Sequence, residues 1–447
     1  MSVHNEFHLI QLAKHMKHKL IILFVLCTFF VISLMTNSMG PIFPALIDSY
    51  AIGLTLAGLF PFAFFIAYGV TSIPAGILVD KYGERRVIIL AFSLAFIGAV
   101  TFVCLPSFSI AMFSLFCIGT GMSLLQVAVN PLLRQAAGPE HFAFFSVLAQ
   151  LAFGGAATLA PLVYQHFVAL DQASAASANY VQQLLPENMS WLAMYWLFAV
   201  VALAMVLFAS LVKMPKVDKL ADESAGALET HLHLFKDKTV LKFFFAIAAY
   251  VALEQGLANS ISVFLSQYHG LDTLSVGANV VSDFWFYMTL GCLLGLLLLK
   301  LIDSQILLLS FSLSSLVCFL VAIWGPSQLA LICFPLVGFF ISIMWSVIFS
   351  LALNSRAQDH GSFAGILCTG IIGGAFISPI IGVISELSGE LRFGMLVLLI
   401  PMAYIGYVAL TARPLIKNTT LFSTKAASKD DGSKQMATTN TRGNKLL

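Results

Sequence analysis

The stretch Gly76-Ile77-Leu78-Val79-Asp80-Lys81-Tyr82-Gly83-Glu84-Arg85-Arg86 sets two glycines and five charged residues in eleven positions, between two apolar runs each long enough to cross a bilayer. Charge at that density does not belong in hydrocarbon, so the chain must leave the membrane here and re-enter at once. The stretch reads as a short turn between two transmembrane helices. Its basic residues put it on the cytoplasmic side.

Composition extends that reading to the whole chain. Of 447 residues, 59% are hydrophobic and 10% charged, with mean hydropathy +0.94, whereas a soluble domain is about 25% charged. A span needs about 20 mostly apolar residues, and twelve such runs lie between residues 20 and 412. The expected fold class is an all-α membrane protein of twelve transmembrane helices. Of the 23 basic residues, Arg392 alone falls in a loop assigned to the outside. The others gather at Lys14, Lys17 and Lys19, the opening turn, Arg134, the middle of the chain, Lys300, Arg356 and the C-terminal tail. Both termini are expected in the cytoplasm, with an uncleaved signal anchor at the start. The net charge of +2 reflects this asymmetry and gives no reason to invoke nucleic acid. All seven cysteines fall within apolar runs, so no extracellular disulfide framework is implied.

A polar interruption at 213–238 divides six spans from six. The expected organisation is a cytoplasmic N-terminus (1–19), a first six-helix half (20–212), a central cytoplasmic loop (213–238), a second six-helix half (239–413) and a tail (414–447) too poor in apolar residues to pack. Gly76-Ile77-Leu78-Val79-Asp80-Lys81 is echoed by Gly295-Leu296-Leu297-Leu298-Leu299-Lys300, and Gly154-Gly155-Ala156 by Gly373-Gly374-Ala375, each 219 residues later. The constant offset suggests a duplicated six-helix unit, an arrangement found in transporters with the site between the halves. Pro131, Pro161 and Pro379 are expected to bend their helices.

The pattern Gly76-x-x-x-Asp80-Lys81-x-Gly83-x-Arg85-Arg86 resembles the signature between helices 2 and 3 of the major facilitator superfamily. Two further stretches are similar to the fucose-galactose-glucose:proton symporter family within it. One is Leu125-Gln126-Val127-Ala128-Val129-Asn130-Pro131 with Gly138-Pro139-Glu140 and Leu148-Ala149-Gln150. The other runs from Ile348-Phe349-Ser350-Leu351-Ala352 through Gly361-Ser362 and Gly373-Gly374-Ala375 to Pro379. The resemblance implies a carrier of the cytoplasmic (inner) membrane that takes up a hexose or related sugar by alternating access and proton symport. It gives Gly76, Asp80, Lys81, Gly83, Arg85 and Arg86 a gating role. Asp80 would meet the N-terminal end of helix 11 near Gly361, where the helix dipole favours an anion, and Arg85 and Arg86 would hold nearby acids when the inner side is shut.

An ionised side chain at the bilayer centre costs at least about 2.5–3.5 kcal/mol, so acids within spans stand out. Of 21 Asp and Glu, two fall clearly inside one: Glu254, about fifteen residues into helix 7 and so roughly 22 Å along its axis, and Asp283 in helix 8. Both are candidates for proton coupling; the alternative is an acid that braces its helix or reaches water at the interface. Several symporter-family members carry a Glu at the helix 7 place. The fucose-type acids of helices 1 and 4 are absent, since Met35-Thr36-Asn37-Ser38-Met39-Gly40 has none and Gln126 fills the second position. That places the coupling on Glu254.

A sugar site needs amides or acids for hydroxyl contacts and an aromatic face for the ring. The candidates are Asn37, Gln126, Asn130, Gln150, Gln255 and Asn259, with Trp285 and Trp345 as stacking faces; the alternative for each is interhelical packing. An enzyme is not expected, because no clustered His and carboxylates stand at one membrane face and no phosphate-cradling GxxxxGK[ST] loop is present. No cofactor or metal is expected; the coupling ion is a proton, with sodium open, and the carrier is expected to act as a monomer among lipids. The second reading is a proton-coupled carrier or exporter of another small organic solute.

Overall fold

The computed structural model describes residues 3–137, 142–173, 189–212, 214, 228–356 and 360–415, with side chains from residue 18 onward apart from a few at segment ends. The Gly138-Pro139-Glu140 motif and all but the first two residues of the 414–447 tail lie outside the described residues. Twelve helices are long and apolar enough to cross a membrane. In the first half they are α1 (His18–Tyr50), α2 (Leu54–Tyr82), α3 (Glu84–Cys104), α4 (Phe108–Ala137), α5 (Phe145–Ala169) and α6 (Ser190–Leu211). The second half has α7 (Lys238–His269), α8 (Thr273–Leu298), α9 (Ser304–Trp324), α10 (Ser327–Leu353), α11 (Ser362–Ser388) and α12 (Leu391–Thr411). The end carrying the Asp80–Arg86 turn is called the basic end below, and the opposite end the far end.

The two halves repeat one packing scheme. In the first, α2 and α3 pack on α4, α3 on α6 and α1 on α5; in the second, α8 and α9 pack on α10, α9 on α12 and α7 on α11. The joints between halves obey the same relation: α5 meets α8, and α11 meets α2. Glycines line both joints, though not at echoed positions: Gly373, the echo of Gly154, faces α7, and Gly155, the counterpart of Gly374, meets nothing within 4 Å. A Cβ on Gly154 of α5 would stand 2.0 Å from Thr289 Oγ1 of α8, and one on Gly374 of α11 would stand 3.0 Å from the Phe65 ring of α2. Bare glycine surfaces thus let equivalent helices approach closely at both joints.

Helix interruptions fall away from the expected prolines. The chain stays helical through Pro131 and Pro161, whereas α1 breaks at Ser38, α2 at Gly58, and α10 at Ser342 and Ile343. Helix α11 tightens to a 3-10 turn over Gly370–Ile372, ahead of Pro379. Close helix contact accounts for the last of these: a Cβ on Gly373 would lie 2.0 Å from the Ala248 carbonyl oxygen of α7.

The central segment 213–238 is not wholly a loop. A short helix, Leu228–Leu234, lies within it, and His231 and Leu234, three residues apart on one face, are both buried. A Cβ on Gly365 would lie 3.5 Å from His231 Nε2, which docks this helix on α11. Helix α7 then starts at Lys238, and the Asp237 side chain accepts from the Thr239 N–H.

Candidate functional site

Glu254 sits near the middle of α7 and is half-buried. Its Oε1 accepts a hydrogen bond from Gln255 Nε2 at 3.0 Å. The hydroxyl of Tyr250, one turn earlier on the same face, also reaches this carboxyl. The buried Tyr250 ring packs against Trp345 of α10, centroids 6.0 Å apart, and Trp345 stacks on Phe349 at 6.1 Å and 23°. From α8, Cys292 is near enough to interact electrostatically with the carboxyl, and its Sγ donates to the Ser342 carbonyl at 3.2 Å. Three helices therefore converge on one acid. The arrangement offers it two hydrogen-bond donors and an aromatic wall, and it assigns Gln255 to the carboxyl. Tyr250 and Cys292 were not singled out from sequence; the i, i+4 relation of Tyr250 to Glu254 was the available signal.

In the first half, Gln126 is half-buried, while Asn130 and Gln150 are exposed. Asn130 Nδ2 turns back to the Gln126 carbonyl at 3.1 Å. Asn37 is buried; its Nδ2 donates to Ser33 Oγ at 3.1 Å and its Oδ1 has no partner. Ser33 in turn donates to the Phe153 carbonyl of α5. Trp285 is buried edge-on against Phe284 with its Nε1 unpartnered, so its ring is enclosed in the protein interior.

Asp283 belongs to a different surface. With Phe286, Tyr287, Leu290, Leu294 and Leu297 it forms the exposed stripe of α8, repeating at three and four residues. The stripe turns away from Cys292 and Glu254, and the structure does not bring Asp283 to the central acid. Asn259 is also apart from Glu254: it is buried toward the far end, with Nδ2 3.3 Å from Ser378 Oγ of α11.

The halves are joined at the far end. Thr55 at the start of α2 donates its N–H and its hydroxyl to the two carboxyl oxygens of Glu386 on α11, at 3.0 and 2.7 Å. Gln165 of α5 donates to the Leu274 and Ser275 carbonyls and to Asn279 Oδ1 at the start of α8. Between these, the break at Gly58 lets the chain touch the backbone of Pro379, where a Cβ would come within 2.5 Å of its nitrogen. None of these contacts was visible in the sequence. Among the described residues, no group of three or more His, Cys, Asp or Glu is placed to hold a metal ion.

A sequence profile described as Major Facilitator Superfamily matches residues 25–379. The chain belongs to the major facilitator superfamily. This facilitator is a multi-pass membrane protein similar to the glucose/galactose transporter of Brucella abortus, at 28% identity over 391 residues covering 86% of this chain and 91% of that one. It is also similar to the L-fucose-proton symporter of Escherichia coli, at 24% identity with 82% and 87% covered. Among solved structures, the Escherichia coli fucose:proton symporter matches with TM-score 0.64 at 23% identity, covering 88% of this chain and 99% of that chain. A bacterial homologue of the lysosomal transporter Spinster matches with TM-score 0.68 at 14% identity, covering 89% and 98%. These structural likenesses concern the fold.

In this facilitator the α2–α3 turn is built on Gly83, whose φ of +81° closes α2 and opens α3 in a conformation that strains other residues. Gly76 is buried, Asp80 is partly buried and engaged, and Lys81 lies over the Tyr82 ring at 5.2 Å. With the halves joined at the far end, Arg85 binds backbone. Its guanidinium donates to the Ala209 and Ser210 carbonyls, the C-terminal end of α6, where a cation is favoured. Arg86 is exposed. Gly361, near which the Asp80 contact is expected, and residues 357–360 before it lie outside the described side chains.

Proposed function

We propose that this facilitator takes up a hexose or related sugar across the cytoplasmic membrane by alternating access, driven by proton symport, with both termini in the cytoplasm. Glu254 is the titrating group. The observation that carries the reading is the Glu254 cluster itself: a carboxyl in the middle of a span, reached by Tyr250 and Gln255, with Trp345 packed on the Tyr250 ring, where an ionisable residue is functional by default. The named activities of the Brucella and Escherichia relatives support the sugar and the proton.

The geometry gives the parts their roles. With the Thr55–Glu386 and Gln165–α8 joints made, the halves are held together at the far end. A carboxyl gives up its proton more readily to water than in apolar surroundings, so opening each end in turn lets Glu254 take up a proton on one side and release it on the other. Gln126, Asn130 and Gln150 from the first half, with Trp345 from the second, supply hydroxyl contacts and a ring face. The relatives' function and the lack of catalytic clustering both argue against an enzyme.

The test is uptake into proteoliposomes of D-glucose, D-galactose, L-fucose and a set of organic acids, with and without a pH gradient. Gradient-dependent entry of at least one sugar is expected. Indifference to every sugar, with an organic acid accumulated instead, would replace this reading with the carrier of another solute.

A further inference from the structure

Helix α7 carries a second polar place besides Glu254. Asn259 is five residues further on, roughly 7.5 Å along the axis and turned by about 140°. It is 2% exposed. One end of its amide meets Ser378 of α11 and the other has no partner; exchanging the amide's oxygen and nitrogen would leave that division unchanged. An incompletely paired amide inside a membrane protein costs free energy, and this one borders a cleft.

The walls of the cleft come from both halves. Phe43 of α1 and Leu54 of α2 face Asn259, Ser378 and Gly382 across it. No charged side chain lines it. The first-half wall is held down beside the Thr55–Glu386 contact, and a Cβ on Gly382 would lie 2.6 Å from the Leu54 carbonyl. In this closed state the cleft is on the order of one water molecule in size. Any motion that releases Glu386 from Thr55 lifts Leu54 away and leaves the Asn259 amide facing the far side.

We propose that Asn259 and Ser378 form a second station for the solute, on the route from the far side to the Glu254 cluster, which binds a hydroxyl group of a neutral polyol or sugar. The station rests on the reading of the chain as an alternating-access sugar carrier. When the far end opens, the free end of the amide takes the hydroxyl. When it closes, Phe43 and Leu54 remove the space, and the solute has only the deeper site to occupy. The absence of lining charge selects against ionised solutes at this point, before Glu254 is reached.

The experiment is radiolabelled D-galactose transport in oriented proteoliposomes by the whole protein and its Asn259→Leu variant, which keeps the side-chain volume and removes the amide. The half-saturating galactose concentration for entry from the far side is expected to rise roughly three- to tenfold, the worth of one hydrogen bond. The half-saturating concentration for exit from the basic end stays at the wild-type value. An equal rise from both ends would put Asn259 in the central site, and no change from either would make the amide a packing group; both overturn the station. If Asn259→Leu does not assemble, Ser378→Ala is read by the same one-sided criterion, with no shift for entry overturning the station. Failure of the wild type to move galactose, D-glucose or L-fucose comes before any variant is read, so it is recognised separately. It removes the carrier reading and the station with it.

Discussion

Thr55 and Glu386, 331 residues apart in sequence, are joined by two hydrogen bonds, from the Thr55 N–H to Oε1 at 3.0 Å and from the Thr55 hydroxyl to Oε2 at 2.7 Å. The first lies at the open N-terminal turn of α2, where N–H groups lack helical partners and a carboxylate is favoured. One acid at the end of α11 thus closes the start of α2, and it does so across the boundary between the halves. Gln165 makes the equivalent joint from α5 to α8.

Replacing Glu386 with Ala should favour the state open at the far end. Glu386 is exposed, so the gain is modest, a two- to fivefold population change for about 0.5–1 kcal/mol of lost contact. Spin labels on the exposed positions Leu56 and Leu387 should report a larger share of long distances in the variant. An unchanged distance distribution would remove Glu386 from the closure.

Gly58→Ala should have the larger effect. Its Cβ would meet backbone, 2.5 Å from Pro379 N and 2.7 Å from Ser378 C, and backbone cannot rotate out of the way. Overpacking of this kind costs about 1–3 kcal/mol, and the cost is confined to the closed far end. Transport should fall by roughly five- to 150-fold while the protein remains folded and monodisperse. Wild-type turnover in Gly58→Ala would show that the far end does not need this contact.

At the basic end, Asp237 pairs with Arg356 and accepts from the Thr239 N–H. Partial burial alone would push its carboxyl up, but the Thr239 hydrogen bonds and the Arg356 guanidinium outweigh burial and hold it below the usual carboxylate range. A lowered value stabilises the folded state fully above the ordinary carboxylate pKa of about 4, and that stability is lost as pH falls through the folded value. Asp237→Asn, which can still cap α7, should cost less than about 1 kcal/mol at neutral pH. Asp237→Ala removes the cap as well and should cost about 1–2 kcal/mol. Thermal unfolding in detergent checks the order: Asp237→Asn should converge on the wild type under strongly acidic conditions while Asp237→Ala keeps the deficit of the lost cap, and a gap between Asp237→Asn and the wild type that persists there would contradict the assignment.

The sequence disclosed depth better than direction. Long apolar runs and the basic turn set twelve spans, and the 219-residue echo pointed to two like six-helix halves, whose packing repeats helix for helix. Glu254 was legible because an acid at mid-span is costly wherever it points. The direction a side chain faces was not legible, because a membrane helix is apolar toward lipid as well as toward its neighbours, so the periodicity that orients a soluble helix is weak. Asp283 therefore read as a second candidate for proton coupling and lies on the exposed stripe of α8, and Asn259 read as a contact in a central cavity and lies at the far joint. Glu386 was not singled out, since nothing in a single sequence ties it to Thr55. Breaks at Ser38 and Gly58 went unseen because they answer to contacts with other helices, whereas the prolines are local.

The most direct test of the central claim is the accumulation of D-galactose in proteoliposomes under an inside-alkaline pH gradient, compared between the wild type and Glu254→Gln. The wild type should concentrate galactose above equilibrium only while the gradient lasts. Glu254→Gln, which keeps the size and hydrogen-bonding shape of the side chain, should exchange galactose at equal concentrations yet accumulate none. Uphill accumulation by Glu254→Gln at the wild-type level would contradict proton coupling through this residue.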